Sequence, residues 1–168
     1  NLEQAVRDAI GKQTGPIYDY EVDHLTELWA GWMEISNLSG IEYLTNLRIL
    51  DIYGNRVSDL TPLSNLSNLE ELHAAGGNNI SSLSPILGLT NLRFLDIGYN
   101  PITDITQLAQ MTWLEDLRIN GINASDISFI TPLQNLIRLY VYDNEIEDIS
   151  PLLQMSNLQY LDIGANPI

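Results

Sequence analysis

A leucine-led segment returns along this chain at an almost fixed spacing, and this periodicity constrains the fold more than any other feature of the sequence. The leading residues of seven segments lie 22 residues apart, with one interval of 23: Leu25, Leu47, Leu69, Leu92, Leu114, Leu136 and Leu158. We call each segment a coil and number its places from this leucine. Such a period is typical of repeat proteins whose coils stack into a solenoid.

The first seven places of each coil alternate like a short β-strand. Places four and six are apolar, as in Leu50 and Ile52 or Leu139 and Val141. They should therefore point inward, while places three, five and seven point outward. Further apolar residues recur at places eleven, fourteen and twenty. Stacking the coils would align the strands into a parallel sheet and bury the apolar places in one continuous core.

A single asparagine follows the strand in most coils. It occupies place nine or its equivalent at Asn55, Asn100, Asn144 and Asn166. A buried amide there can bond backbone groups of neighbouring coils, so we interpret this row as a structural ladder. The fifth coil has Ile122 at this place, which predicts an interruption. The third coil carries its extra residue within residues 76–79, which we interpret as a local bulge.

Ser-Pro and Thr-Pro pairs mark the opposite side of the coil. They begin at Thr61, Ser84, Thr131 and Ser150. Ser and Thr favour the cap of a helical turn, and Pro favours its first position. Few residues remain before the next strand, so we expect short 3₁₀ turns rather than long helices. The sequence thus predicts an α/β solenoid, a right-handed curved stack with a concave parallel sheet and 3₁₀ turns on its convex side.

The N-terminal segment has a different pattern. NLEQAVRDAIG places Leu2, Val6 and Ile10 on one face of a helix, and Gly11 is placed to end it. We therefore expect a small helical N-terminal cap at residues 1–24. The repeats would occupy residues 25–168, in about seven coils of which the last is incomplete.

The repeated segments resemble leucine-rich repeats of the bacterial, internalin-like 22-residue subclass. The pattern LxxLxxLxLxxNxIxDIxPLxxL is matched best at residues 47–68 and 136–157. The D-[IL]-[ST]-P-L motif at residues 59–63 and 148–152 favours the bacterial subclass over the eukaryotic one of the same length. The N-terminal segment is similar to the helical cap of internalin-type repeats.

The resemblance implies a non-enzymatic, adhesion-type bacterial protein, secreted or attached to the cell surface. Such a protein would bind another macromolecule through its concave sheet, and further domains commonly follow the repeats. A last coil without a cap would expose apolar residues such as Leu158 and Leu161. Because solenoid ends normally need a polar cap, we expect further chain or a partner to cover this end.

The outward places of the strands are rich in aromatic residues. Six of them carry rings: Trp29, Tyr53, Phe94, Tyr140, Tyr142 and Tyr160. Aromatic residues suit strands in general, which is the structural interpretation of this enrichment. Exposed rings clustered on one concave face are, however, the usual anchors of a binding site, and we favour that interpretation.

Charged residues share this face, and acids outnumber bases among them. Place five brings Asp51, His73, Asp96 and Arg118 into one row, and Arg138 lies at place three. Opposite charges on adjacent strands can satisfy each other. A net acidic face can also steer a partner with a basic patch. The candidate ligand-binding set is therefore Trp29, Asp51, Tyr53, His73, Phe94, Asp96, Arg118, Arg138, Tyr140, Tyr142 and Tyr160.

Composition argues against several other functions. The net charge is −15, from 22 acidic and 7 basic side chains, whereas nucleic-acid binding relies on Lys and Arg. No apolar run is long enough to insert into a membrane. There is no Cys for a disulfide or a thiolate zinc site, and His24 and His73 lie too far apart in the repeat pattern to share a metal. We expect no metal and no cofactor.

Catalysis is also disfavoured. Asp51, His73 and Asp96 could suggest a triad, but the outward places near them offer no Ser, Thr or Cys nucleophile. Three functions stay open: binding of a protein, which we favour, binding of a carbohydrate through the concave aromatics, and a structural spacer.

Overall fold

The computed structural model describes all 168 residues, and its seven strands form a single parallel sheet in sequence order. Each strand is three residues long and occupies places three to five of its coil. The strands are β1 (Glu27–Trp29), β2 (Ile49–Asp51), β3 (Glu71–His73), β4 (Phe94–Asp96), β5 (Asp116–Arg118), β6 (Arg138–Tyr140) and β7 (Tyr160–Asp162). Equivalent places pair throughout, so Leu50 lies between Leu28 and Leu72. The predicted solenoid is confirmed.

One apolar core runs through the stack and contains 44 buried residues. Leu50 and Leu139, at place four, are completely buried, and burial of a leucine contributes about 1.5–3 kcal/mol. Leu161, the equivalent residue in the seventh coil, is 37% exposed. This difference shows that burial comes from the neighbouring coils, because the seventh coil has a neighbour on one side only.

The N-terminal helix is confirmed, with α1 spanning Leu2–Ile10 and Gly11 ending it at a φ of 69°. A second helix, α2, spans Asp19–Val22, and an ion pair of 2.8 Å between Lys12 and Glu21 joins the two helical segments. None of the helices is long and apolar enough to cross a bilayer. The division into a cap of residues 1–24 and repeats of residues 25–168 stays a prediction.

Short 3₁₀ helices occupy the convex side, as predicted. They span Ile41–Tyr43, Thr61–Leu63, Ser84–Ile86, Ile105–Gln110, Ser128–Ile130 and Ser150–Gln154. The predicted capping was wrong, because Thr61 and Ser150 are the first helical residues and not the caps. The capping oxygens belong to Asp59 and Asp148, which each accept the N–H group of that first residue at 2.8 Å.

The Thr-Pro pair at Thr131 was also misplaced, because it follows a 3₁₀ helix instead of opening one. The cause is Asp126, five residues upstream of Thr131. Asp126 accepts hydrogen bonds from the backbone N–H of Ser128 at 2.7 Å and from its hydroxyl at 2.9 Å. These bonds start the turn at Ser128, and the helix ends at Ile130.

The predicted asparagine ladder joins successive coils from inside the stack. Oδ1 of Asn55 accepts the N–H groups of Met33 and Ile35 in the preceding coil, at 3.1 and 2.9 Å. Its Nδ2 donates to the carbonyl of Ala30 at 2.8 Å. Asn78 continues this inner ladder by accepting the N–H of Val57 at 2.9 Å, so the extra residue of the third coil does not break it.

The inner ladder is interrupted at Ile122, as the sequence predicts. The N–H group that an asparagine at this place would bind belongs to Ile102 in the fourth coil. It donates instead to the backbone carbonyl of Asn100 at 2.9 Å. The interruption therefore leaves this N–H group paired, but it removes a side-chain link between the fourth and fifth coils.

A second ladder, which the sequence analysis missed, lies near the other end of the strands. It consists of the asparagines that directly precede the leading leucines. Each donates through Nδ2 to a backbone carbonyl at 2.7–2.9 Å, which belongs to the preceding coil or, for Asn46, to Asp23 ahead of the first coil. The members are Asn46, Asn68, Asn91, Asn135 and Asn157. This outer ladder is interrupted at Trp113, whose buried Nε1 has no partner. The Thr90 carbonyl, which an asparagine at this place would bind, accepts a hydrogen bond from Nη1 of Arg93 at 2.8 Å instead.

Candidate functional site

A continuous row of five aromatic rings and one guanidinium group crosses the outward face of the sheet. We call this row the inner strip; it contains Trp29, His73, Phe94, Arg118, Tyr140 and Tyr160. These six residues lie at places three and five, where the strand alternation predicts outward side chains. The register of the sheet then brings residues that are far apart in sequence into one row.

Each member of the inner strip contacts the next. The ring centroids of His73 and Phe94 lie 4.3 Å apart, and Trp29 approaches His73 at 6.0 Å. The guanidinium of Arg118 lies 4.7 Å from the Phe94 centroid and 4.5 Å from the Tyr140 centroid. The ring centroids of Tyr140 and Tyr160 lie 4.8 Å apart and complete the row. A cation–π contact stabilises by about 0.5–1 kcal/mol at an exposed site, so this packing restrains the side chains.

The two arginines of the candidate set share one buried carboxylate. Asp116 is 5% exposed, accepts Nε of Arg118 at 3.1 Å and lies 3.5 Å from Nη1 of Arg138. Because Asp116 offsets part of their charge, the remaining carboxylates keep the face acidic.

Two predicted site residues, Asp51 and Asp96, help to fix the chain as it leaves the strand. Oδ1 of Asp51 accepts the N–H of Tyr53 at 2.7 Å, and Oδ1 of Asp96 accepts the N–H of Gly98 at 3.2 Å. Burial raises the pKa of Asp96 above its ordinary value, although the Gly98 bond and the charges of Arg118 and His73 act in the opposite direction.

His73 lies between Asp51 and Asp96 in the register of the sheet, but its ring does not bind either aspartate. The polar contact of the ring is Nε2 to Oε2 of Glu71, at 3.3 Å. One face of the ring is turned toward Phe94. The histidine is therefore a member of the aromatic row, and the three residues form no hydrogen-bonded chain.

A second aromatic row follows the edge where the strands turn outward. We call it the rim strip; its members are Trp32, Tyr53, Tyr99 and Tyr142, and all four are exposed. The Trp32 and Tyr53 rings meet edge to face at 5.4 Å. The sequence analysis grouped Tyr53 and Tyr142 with the other concave aromatics, whereas the structure places them in this separate row.

Trp32 and Tyr99 were missed because they lie at place eight, one residue beyond the alternating strand. This place has a positive φ in all seven coils: Trp32, Gly54, Gly76, Tyr99, Gly121, Asp143 and Ala165. Three coils therefore use glycine there. An aromatic residue at a place that other coils give to glycine was the signal in the sequence that could have identified these two residues.

The opposite edge of the sheet carries charges that pair with one another. Arg48 and Glu70 form an ion pair of 2.7 Å, and Arg93 lies 3.6 Å from Glu115. All four residues occupy place two. The charges at place two of this edge are therefore paired, and the two strips are the distinctive features of the outward surface.

Comparison with known families identifies the repeats. A profile described as Leucine Rich Repeat matches residues 46–69, and one described as Leucine Rich repeats (2 copies) matches residues 67–110 and 134–168. Together these matches cover more than half of the chain.

Three solved structures from Listeria monocytogenes are similar to this chain. The internalin InlF is 31% identical with a TM-score of 0.83, over 99% of this chain and 56% of that one. Internalin C2 is 30% identical with a TM-score of 0.56, over 96% of this chain and 92% of that one. A functional domain of InlJ, which includes a cysteine ladder, is 25% identical with a TM-score of 0.73, over 99% and 45%. This chain thus spans about half the length of the InlF and InlJ chains.

Proposed function

Because this chain belongs to the leucine-rich repeat proteins of the bacterial internalin-like kind, we propose that it is a non-enzymatic recognition module whose inner strip binds a protein partner. The observation that carries this proposal is the continuous row of restrained rings on an open sheet face. We propose further that the protein acts outside the bacterial cell, secreted or on its surface, in an adhesion-type role.

The composition of the inner strip suits a protein interface. Tyr, Trp and Arg are the residues that most often dominate the binding energy of such interfaces. Trp29 and Tyr160 at the two ends are 59% and 48% exposed, which leaves apolar area for a partner to cover. Six strand intervals of about 4.8 Å give the strip a length of about 29 Å, which matches the footprint of a protein domain.

Charge indicates the kind of partner. Apart from the Asp116 cluster, the face carries Glu27, Asp51, Glu71 and Asp96, and the whole chain has a net charge of −15. Complementary charge mainly accelerates association and selects partners, so we propose a partner with a basic patch. Binding should then weaken as salt screens these charges.

A carbohydrate ligand is the second candidate. Trp29 presents an exposed indole face beside Glu27, whose carboxylate accepts the indole N–H at 3.1 Å. A ring next to a carboxylate could stack on a sugar and accept its hydroxyl groups. Such binding would respond little to salt, which separates it from the favoured function.

The test is capture from a cell-surface extract on the immobilised protein. The informative variant combines Phe94→Ala and Tyr140→Ala, which removes both rings that flank Arg118. Its control is Tyr43→Ala, which removes an exposed ring from a 3₁₀ helix on the convex side. Circular dichroism confirms the fold of both. We expect the native protein and the control to retain a protease-sensitive ligand that elutes with salt, and the double variant to lose it.

Other results would contradict the proposal. Equal retention by the double variant would place the binding site elsewhere on the molecule. Retention that survives protease but is abolished by deglycosylation of the extract would favour the carbohydrate function. Absence of any retained ligand on all three proteins would favour the spacer.

A further inference from the structure

The tyrosines of the rim strip all lean in the same direction. Each ring projects over the following coil and rests on a glycine. A Cβ atom at Gly76 would lie 2.7 Å from the Tyr53 ring, and a Cβ atom at Gly121 would overlap the Tyr99 ring. Tyr142 lies against Gly164 in the same way. Because glycine has no Cβ atom, these positions leave the space that the tyrosine rings occupy.

Two rim residues adopt a backbone conformation that is costly for bulky side chains. Trp32 and Tyr99 have φ values of 60° and 57°. A left-handed conformation costs an L-residue about 1–2 kcal/mol, and glycine at place eight of other coils avoids this cost. Strained residues of this kind concentrate at binding and catalytic sites. The strained backbone of Trp32 and Tyr99 therefore indicates a candidate binding surface outside the inner strip.

The three tyrosines recur in every second coil. Tyr53, Tyr99 and Tyr142 belong to the second, fourth and sixth coils, so the coils that carry successive rings are two strand intervals apart, or about 9.6 Å. A polyproline II helix repeats every three residues, or about 9.3 Å. Residues on one face of an extended β-strand recur every ~6.7 Å instead. Seven residues of an α-helix span about 10.5 Å, a mismatch that grows to roughly 2 Å over two intervals.

The polar groups of the rim suit the same ligand. The hydrogen bonds of Tyr53 and Tyr142 involve their backbone atoms, and Tyr99 donates its backbone N–H to Asn120, which leaves the phenol hydroxyls free. A polyproline II chain has no internal hydrogen bonds, so its carbonyls can accept from these hydroxyls. Burial, and then the charge of Asp143, raise the pKa of Tyr99 above its ordinary value.

We propose that the rim strip is a second docking surface, separate from the inner strip, that binds an extended proline-rich segment in the polyproline II conformation. Pyrrolidine rings at every third position would pack between the tyrosine rings, as in other aromatic-lined grooves for such segments. Lys or Arg residues flanking the prolines would complement Asp51 and Asp143 beside the strip. Arg56 does not oppose them freely, because it pairs with Glu34 at 3.2 Å.

The probe for this proposal is a peptide of nine prolines followed by two arginines. Its proline segment spans about 28 Å, enough to reach all three tyrosines. The reference peptide has the same length and charge but alternates Gly and Ser. Binding to the whole chain is followed by tyrosine and tryptophan fluorescence. We expect the proline peptide to bind at least about tenfold more tightly than the reference.

Two rim variants and two controls locate the site. Tyr99→Ala removes the central ring, and Gly121→Ala keeps the ring but displaces it; both should weaken binding at least about tenfold. Gly77→Ala alters a glycine that also has a positive φ, of 85°, but has open space around it, so it should not change binding. Tyr140→Ala, in the inner strip, should not change it either, which separates this proposal from the proposed function.

Three results would overturn the proposal. Equal binding of the two peptides would show simple charge attraction. Unchanged binding by correctly folded Tyr99→Ala would place the peptide elsewhere. Rim-dependent binding of a β-linked glucose hexasaccharide, with no binding of the proline peptide, would assign the strip to a carbohydrate.

Discussion

Replacement of Asn144 by alanine should be among the most destabilising single changes in this protein. Oδ1 of Asn144 accepts the N–H groups of Ile122 and Ala124 at 3.1 and 2.9 Å. Its Nδ2 donates to the carbonyls of Ile119 and Val141 at 2.9 and 3.0 Å. The alanine variant leaves three of these groups without a partner, because only the Val141 carbonyl keeps another bond, from Nδ2 of Asn166 at 2.9 Å.

The magnitude follows from the number of groups left unpaired. An unsatisfied buried polar group costs about 1–3 kcal/mol, and the low end of this range applies where solvent can reach part of the seam. Three groups at about 1 kcal/mol each give a loss of about 3 kcal/mol in the free energy of unfolding. For a domain of this size, that loss lowers Tm by about 6–12 °C.

The matched control is Asn135→Ala, in the outer ladder. Asn135 is exposed and makes a single bond to its preceding coil, from Nδ2 to the carbonyl of Thr112 at 2.8 Å. Its loss should cost about 0.5–1 kcal/mol, or about 1–4 °C in Tm. Thermal unfolding is followed by circular dichroism and by tryptophan fluorescence. Equal shifts in the two variants would refute the reasoning, because both lose the same atoms and differ only in the bonds those atoms make.

Two further predictions each concern a single position, the half-buried Asp96 and the buried Ile122. Asp96→Asn keeps an acceptor for the Gly98 N–H and removes a charge whose pKa is raised by burial. Because a raised pKa in the folded state means that ionisation opposes folding, the variant should be more stable than the native protein at neutral pH. This advantage should disappear as the pH falls below the ordinary aspartate pKa of about 3.9; a constant difference in Tm across that range would contradict it. Ile122→Asn restores the inner-ladder pattern, so it should change the free energy of unfolding by less than about 1 kcal/mol. Ile119→Asn buries an amide in the apolar core, so it should lower this free energy by about 3 kcal/mol or more. Urea unfolding measures both values.

Most of the fold could be predicted from the sequence because one period fixes several levels of structure at once. Once Leu50 and Leu72 are known to be equivalent, the strand register, the core and the inner ladder follow. The outer ladder was missed because asparagines such as Asn68 lie on the surface, where an amide is unremarkable by itself. Thr131 was misplaced because the turn is set by Asp126, which lies outside the Ser-Pro and Thr-Pro pattern.

The sequence could predict which residues of the candidate site point away from the core, but not the direction in which each side chain turns on the surface. Strand alternation shows that Tyr53 and Tyr140 both point away from the core. It does not show that Tyr53 leans over Gly76 toward the rim while Tyr140 packs on Arg118. These directions depend on the size of the residue in the next coil and on the conformation at place eight. Whether either strip binds a ligand stays a prediction.

The fourth coil keeps only one asparagine link to each neighbour, through Asn100 to the third coil and from Asn135 of the fifth. Trp113 interrupts its outer ladder to the third coil, and Ile122 interrupts the inner ladder to the fifth. On the sheet face the same coil contributes Phe94, which packs between His73 and Arg118. A ligand that covers the inner strip would therefore clamp the coil that has the fewest asparagine links among those with a neighbour on both sides. Local opening and ligand occupancy would then be linked equilibria, so amide exchange in the fourth coil would report binding even for a ligand that moves no other part of the chain.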